Sequence, residues 1–188
     1  MVFHLNIILH GMLQKSRAMT FSDGGDTKDY KRLSQLFPKA MLNIRFLQHD
    51  KWLKSRFKHY TYSKWIRHLK VKKFPPSVPL AKRWLEGHHN HHLNVLKFFE
   101  DKKDRLIIVN IDNKEWIPEL AKALNLKAIK TNKNVLPEEK IPPEFMKKVE
   151  YCIEEARKQL QIPPEQMKES LLIPKLGTYN LDGFYKII

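Results

Sequence analysis

Three groups of residues in this chain carry side chains whose types and spacing could do chemistry. Arg45 closes the short apolar run Ala40-Met41-Leu42-Asn43-Ile44, and Ser55 follows it inside the stretch Lys51-Trp52-Leu53-Lys54-Ser55-Arg56. A guanidinium presents a planar fork of donors that matches a phosphate group, and a serine hydroxyl near a helix start adds another donor. Spacing alone favours the plainer reading, an arginine at the end of a strand and a serine on a solvated helix face. The second group is the run His88-His89-Asn90-His91-His92. His88 and His92 stand at the i, i+4 separation that lets a helix chelate zinc, but no cysteine and no acidic third ligand stands at a matching spacing. The expectation is therefore no tight zinc site, with the histidines packed between layers or binding an anion when protonated. The third is Cys152, which is alone and falls on the apolar face of a helical pattern, where a buried and inert thiol is expected.

The elements that must position these groups can be read from periodicity. The run ending at Arg45 is too short for a typical helix and reads as a buried strand. Asp50 is a candidate N-cap for a helix in which Trp52, Leu53 and Phe57 recur at helical spacing. In an open α/β sheet ligands sit beyond the carboxyl ends of strands, so Arg45 and the start of the helix carrying Ser55 would meet at such a crevice. Upstream, Leu5, Ile8, Leu9, Met12 and Leu13 fit a short amphipathic helix interrupted by Gly11. A strand over 2–9 leading into Gly11-x-x-x-Lys15-Ser16 is the competing reading, although that segment lacks the second glycine of a phosphate loop. Phe21-Ser22-Asp23 suggests a brief extended piece ending in a turn. A helix over 28–37, with Tyr30, Leu33, Leu36 and Phe37 along one side, stops at Pro38.

Residues Tyr60 to Lys73 interleave aromatic and basic side chains in the manner of a nucleic-acid surface. The competing view has Trp65 and Leu69 facing the core and the lysines solvated. Phe74 to Pro79 reads as a linker or turn within the domain, and a long helix from about Leu80 to Glu100 carries Trp84, His88, His91, His92, Val95, Phe98 and Phe99 on one stripe. Leu106 to Ile111 is a nearly continuous apolar run, as in a strand buried on both faces of a parallel sheet. Asp112 or Asn113 can cap a helix carrying Trp116, Leu120 and Leu124. A strand, helical crossover and second strand argue for parallel pairing. Ile141-Pro-Pro-Glu is echoed by Ile162-Pro-Pro-Glu, each a good helix start, and between them Phe145, Val149, Cys152, Ile153, Ala156 and Leu160 form one amphipathic helix. The tail is irregular and is expected to wrap the core.

The chain of 188 residues fits one domain able to bury a core without metals or disulfides. Its 35 Lys and Arg against 20 Asp and Glu leave a net charge of +15, which favours anionic partners. A lone cysteine and a poor secretory signal point to a reducing compartment, so a cytoplasmic location is expected. No apolar run approaches the roughly 20 residues of a membrane span.

In order along the chain, Phe21-Ser22-Asp23, the helix ending Leu36-Phe37-Pro38-Lys39-Ala40, Met41 to Arg45, Lys51 to Arg56, His91 to Phe99 and Asp104 to Asp112 resemble one family. They are similar to the carboxyl-terminal portion of sulfotransferases that use 3′-phosphoadenosine 5′-phosphosulfate (PAPS). The resemblance covers residues 18–126 as a core, with 127–188 as a helical C-terminal extension. It implies an α/β fold, a small largely parallel sheet flanked by helices, of the P-loop-NTPase-like sulfotransferase type and truncated at the N-terminus. It also implies that Arg45 and Ser55 bind the 3′-phosphate of PAPS, the co-substrate, with no metal, and that the intact family transfers a sulfuryl group to a hydroxyl or amine. Two extra residues separate Arg45 from Trp52, the glycine-rich 5′-phosphosulfate loop has no counterpart, and the closing arginine-glycine loop is only echoed by Lys175-x-Gly177. No catalytic base can be named; His10, Asp23 and Asp26 are candidates by location alone, and negligible turnover is expected of this stretch. The alternative is a non-catalytic module binding nucleic acid or other polyanions through Tyr60–Lys73.

Overall fold

The computed structural model describes residues 4–8, 19–22, 29–39, 41–62, 75–124, 141–184 and 186–187. The architecture is α/β, with a five-stranded sheet in the order β2-β1-β3-β4-β5. These strands are β1 (His4–Ile8), β2 (Met19–Ser22), β3 (Met41–Phe46), β4 (Leu106–Asn110) and β5 (Lys186–Ile187). Its helices are α1 (Asp29–Leu36), α2 (His49–Tyr62), α3 (Val78–Phe98), α4 (Trp116–Ala123) and α5 (Pro143–Gln159).

β3 and β4 pair in parallel, Leu42 opposite Leu106 through Phe46 opposite Asn110, as the strand–helix–strand order requires. β5 extends this parallel half, with Ile107 opposite Lys186. The other half is antiparallel: β1 pairs with both β2 and β3. The sheet is therefore mixed, and the expectation of a largely parallel one is corrected. The reason lies at the N-terminus. Of the two readings of this segment, the strand over 2–9 and not the amphipathic helix holds for the described residues, His4–Ile8, because the open edge of β3 offers a ladder of backbone partners to the β-branched Ile7 and Ile8. Gly11 to Ser16 lies outside the described residues, as do Asp23 and the double glycine after β2.

Further boundaries shift for local reasons. Leu36, expected on the buried side of α1, is exposed, whereas Tyr30 is buried and Leu33 packs on the core. α2 begins at His49, which leaves Asp50 in its first turn rather than at its cap. α3 starts at Val78, with Pro79 in its first turn, where a missing N–H costs nothing. The second Ile-Pro-Pro-Glu makes only a 3-10 turn over Pro164–Lys168, although the first opens α5 as expected.

The core has three parts. β3 and β4 bury Leu42, Ile44, Phe46, Leu106 and Ile108 against Tyr30, Val95, Leu96 and Phe99. On the other face Ile107 and Val109 pack with Leu124, Trp116 and Leu120. α2, α3 and α5 share a second cluster containing Trp52, Leu53, Phe57, Ala81, Leu85, Val149 and Cys152. The tail wraps as expected: Leu172 and Phe184 enter the sheet core, Ile173 the helical one, and the chain returns as β5.

Candidate functional site

The carboxyl ends of β3 and β4 form one edge, and α2 and α4 both begin there. Ile111 donates its N–H to the Phe46 carbonyl at 2.9 Å, continuing the parallel ladder past β4. Asp112 then turns toward α2. Its carboxylate accepts the Gln48 N–H at 2.9 Å and the Lys51 ammonium at 2.7 Å. Trp52 closes the first helical turn by donating to the Gln48 carbonyl at 2.8 Å. A carboxylate at a helix N-terminus complements the helix dipole, so Asp112 fastens α2 to the end of β4. Of the two candidate caps for the following helix, Asp112 and Asn113, Asp112 is thus turned away from it. That helix instead starts behind Asn113, whose side-chain oxygen accepts the Glu115 N–H at 3.0 Å and whose amide donates to Glu119 at 3.2 Å.

Arg45 is the penultimate residue of β3, half-buried, with its guanidinium 5.0 Å from the centre of the Trp116 ring. Its Nε is buried and has no hydrogen-bond partner among the described residues. Burial lowers its pKa below the ordinary arginine value, yet the group keeps its charge. Two cations thus stand at this edge: Lys51 is neutralised by Asp112, and no carboxylate among the described residues pairs with Arg45. Ser55 lies in the second turn of α2, half-buried, and no hydrogen bond joins it to Arg45 among the described residues. Sequence reasoning placed Arg45 on its strand but missed Trp116 as its partner, since nothing in the spacing links the two. His10, Asp23 and Asp26 lie outside the described residues. Lys175 is exposed in a 3-10 turn, and Gly177 follows at φ +129°, a conformation that favours glycine, against Leu93 and His89.

The histidines of α3 are built into a buried layer. His88 and His92 have ring centroids 4.1 Å apart, as one helical turn dictates. Trp52 lies tilted over His88 at 4.0 Å, Phe46 meets His92 edge-on at 4.2 Å, and His49 from α2 meets His88 edge-on at 5.2 Å. His49 and His89, which periodicity did not single out, are fully buried with them. Burial first, and then neighbouring histidines, hold His88 and His92 well below the ordinary histidine value. Burial likewise brings His49 and His91 down to about 4. The rings are therefore neutral near pH 7, which fits packing between layers and not the binding of an anion. Among the described residues no group of three or more His, Cys, Asp and Glu side chains is arranged to hold a metal ion.

Other features fit their plain readings. Cys152 is buried, and burial raises its thiol pKa, which keeps it protonated. Tyr60 packs into an aromatic group with Trp84 at 5.3 Å and Arg56 at 5.2 Å, which occupies the first ring of the expected nucleic-acid stretch; most of Tyr60–Lys73 lies outside the described residues. A cleft of about 280 Å³ between α2 and α5 is lined by charged groups, but Lys54 pairs with Glu150 and Arg157 with Glu154. No helix among the described residues is long and apolar enough to cross a membrane. No protein-family model, curated protein or solved structure matches the chain.

Proposed function

We propose that this chain is a sulfotransferase-like protein that binds PAPS, or its product adenosine 3′,5′-bisphosphate, at the carboxyl edge of β3 and β4. The observation that carries the reading is Arg45: a partly buried guanidinium at the end of a parallel strand, unpaired with any carboxylate among the described residues. Removing such a charge from water is costly unless an anion compensates it. Phosphate fits the planar fork, and the Trp116 ring packs on the guanidinium from one side at 5.0 Å. Asp112 and Lys51 neutralise each other, so they anchor α2 without competing for the ligand. Ser55, one turn further along α2, is the second donor in this reading.

The fold assignment belongs to the same proposal. A parallel β3–α2 unit beside β4–α4 is what a P-loop-NTPase-like sulfotransferase fold needs at its 3′-phosphate end. In the reaction, an acceptor oxygen or nitrogen forms a bond to sulfur as the bond from sulfur to the bridging phosphate oxygen breaks. The sulfuryl group passes to the acceptor, the electron pair leaves with the nucleotide, and the acceptor proton goes to a base. Arg45 and Ser55 hold the far end of the nucleotide and supply positioning, whereas the sulfuryl group needs its own preorganised donors.

Calorimetric titration with adenosine 3′,5′-bisphosphate tests the reading. The parent chain binds saturably, and Arg45→Ala loses a charge-assisted fork worth roughly 1.5–3 kcal/mol per hydrogen bond, abolishing measurable binding. Ser55→Ala costs less. Equal affinity of parent and Arg45→Ala refutes the assignment, and so does tight, steeply salt-dependent binding of an oligonucleotide without binding of the bisphosphate, which would favour the polyanion module.

A further inference from the structure

The segment from Glu169 to Gly177 crosses the histidine layer and is fastened to it three times. The backbone N–H of His49 donates to the Glu169 carbonyl at 3.1 Å. His92 Nδ1 lies 2.9 Å from the Leu171 carbonyl, and the Ile173 N–H donates to His89 Nδ1 at 3.1 Å. The two side-chain fastenings demand opposite tautomers. A carbonyl only accepts, so His92 carries its proton on Nδ1; His89 must leave Nδ1 bare to accept. The His89 ring is thereby neutral in the fastened state, whereas the His92 bond to Leu171 would survive a second proton on Nε2. Leu172 and Ile173, carried by this segment, are buried in the two cores.

We propose that Glu169–Gly177 is a pH-operated strap, closed over α2 and α3 while their histidines are neutral and released when those rings take up protons.

A second proton on His89 occupies the lone pair that the Ile173 N–H uses, so two N–H groups would face each other. A second proton on His92 falls on Nε2, which is buried and has no partner among the described residues. His49 is the same case twice over: both ring nitrogens are buried without a partner. Among the described residues the charges acting on His49 and His92 are those of other histidines, and Arg56 on α2 adds a positive charge beside His88. From α1, Tyr30 faces His91 with ring centroids 6.1 Å apart, and the Leu176 backbone partly offsets the effect of burial on His89. The cheapest escape is to lift the strap and let water reach His89, His92 and His49. β3 and β4 keep their own ladder when it lifts. Each imidazole freed in this way raises the open-to-closed ratio about tenfold per pH unit below its ordinary pKa.

Hydrogen–deuterium exchange of the full chain, corrected for the intrinsic pH dependence of exchange, tests the strap. Between about pH 7.5 and pH 5, amides of Ile173, Leu176 and Gly177 should lose protection at least about 100-fold more than those of β4. The double variant His89→Asn with His92→Asn can keep both fastenings through an amide that does not titrate, and should flatten the pH dependence. His49→Phe, which removes two partnerless nitrogens, should shift opening to lower pH. A wild-type strap that stays protected at about pH 5, or opens only together with β4, overturns the proposal whatever the variants do. An unchanged pH dependence in the folded double variant overturns it as well.

Discussion

Asp112→Ala should loosen the joint that holds α2 over the end of β4, and its magnitude can be worked from the contacts. The carboxylate accepts the Gln48 N–H at 2.9 Å, a charge-assisted bond worth roughly 1.5–3 kcal/mol when the group is partly buried. Its ion pair with Lys51 is short, 2.7 Å, but the lysine side chain is 53% exposed, so solvent holds that contribution below about 1 kcal/mol. Placement at the start of α2 adds about 0.3–1 kcal/mol through the helix dipole. Asp112→Ala should therefore cost roughly 2–5 kcal/mol. Asp112→Asn, which keeps an acceptor for Gln48 but loses the charge, should cost about half of that. Lys51→Ala, which removes only the exposed partner, should cost under about 1 kcal/mol. Urea unfolding followed by far-UV circular dichroism gives the three values, provided the denaturant slope is unchanged. The reasoning fails if Asp112→Ala costs no more than Lys51→Ala, because the buried N–H would then not depend on the carboxylate.

Stability should fall with acidification, in a window set by the buried histidines. A histidine held below its ordinary value binds its proton more readily in the unfolded chain, so its stability contribution is complete above about pH 6.5 and is lost as the pH falls toward the folded value. His49 and His91, both lowered to about 4, each account for roughly 3 kcal/mol of loss across that window. Urea midpoints equal at about pH 7.5 and pH 5 would refute this; a folded His49→Phe variant should show a shallower decline. Cys152 should resist a water-soluble disulfide reagent until the chain unfolds, since it is 3% exposed and burial raises its pKa. Stoichiometric labelling of native protein within the mixing time would contradict that burial.

Much of the scaffold was legible because local pattern and final environment agree. The run ending at Arg45 and the run from Leu106 to Asn110 are apolar and too short for a typical helix, which suits a strand covered on both faces. α3 and α5 announce themselves by stripes that overlap their buried faces: His88, His91, His92 and Val95 are buried as expected, as are Val149, Cys152, Ile153 and Ala156. Trp84, Phe98, Phe145 and Leu160 are half-buried, and Ala81, Leu85, His89 and Leu96 join the buried face of α3. The N-terminus misled because Leu5, Ile8 and Leu9 satisfy helical spacing, whereas the partner that makes His4–Ile8 a strand, the edge of β3, lies far away in sequence. β5 was missed for the same reason: two residues at the tail become a strand only beside β4.

The amino-acid sequence by itself determined the class of the fold, the parallel pairing of two central strands, the basic character of the chain and the position of Arg45 on its strand. Tertiary structure alone decided what that arginine meets. It set Trp116 against the guanidinium, gave Lys51 to Asp112, and left Arg45 without a carboxylate among the described residues. It also brought His49 from one helix and the Leu171 and Ile173 backbone from the tail onto the histidines of α3. Periodicity reports which face of an element is buried, but pairing between faces depends on how elements cross, and no local pattern encodes that.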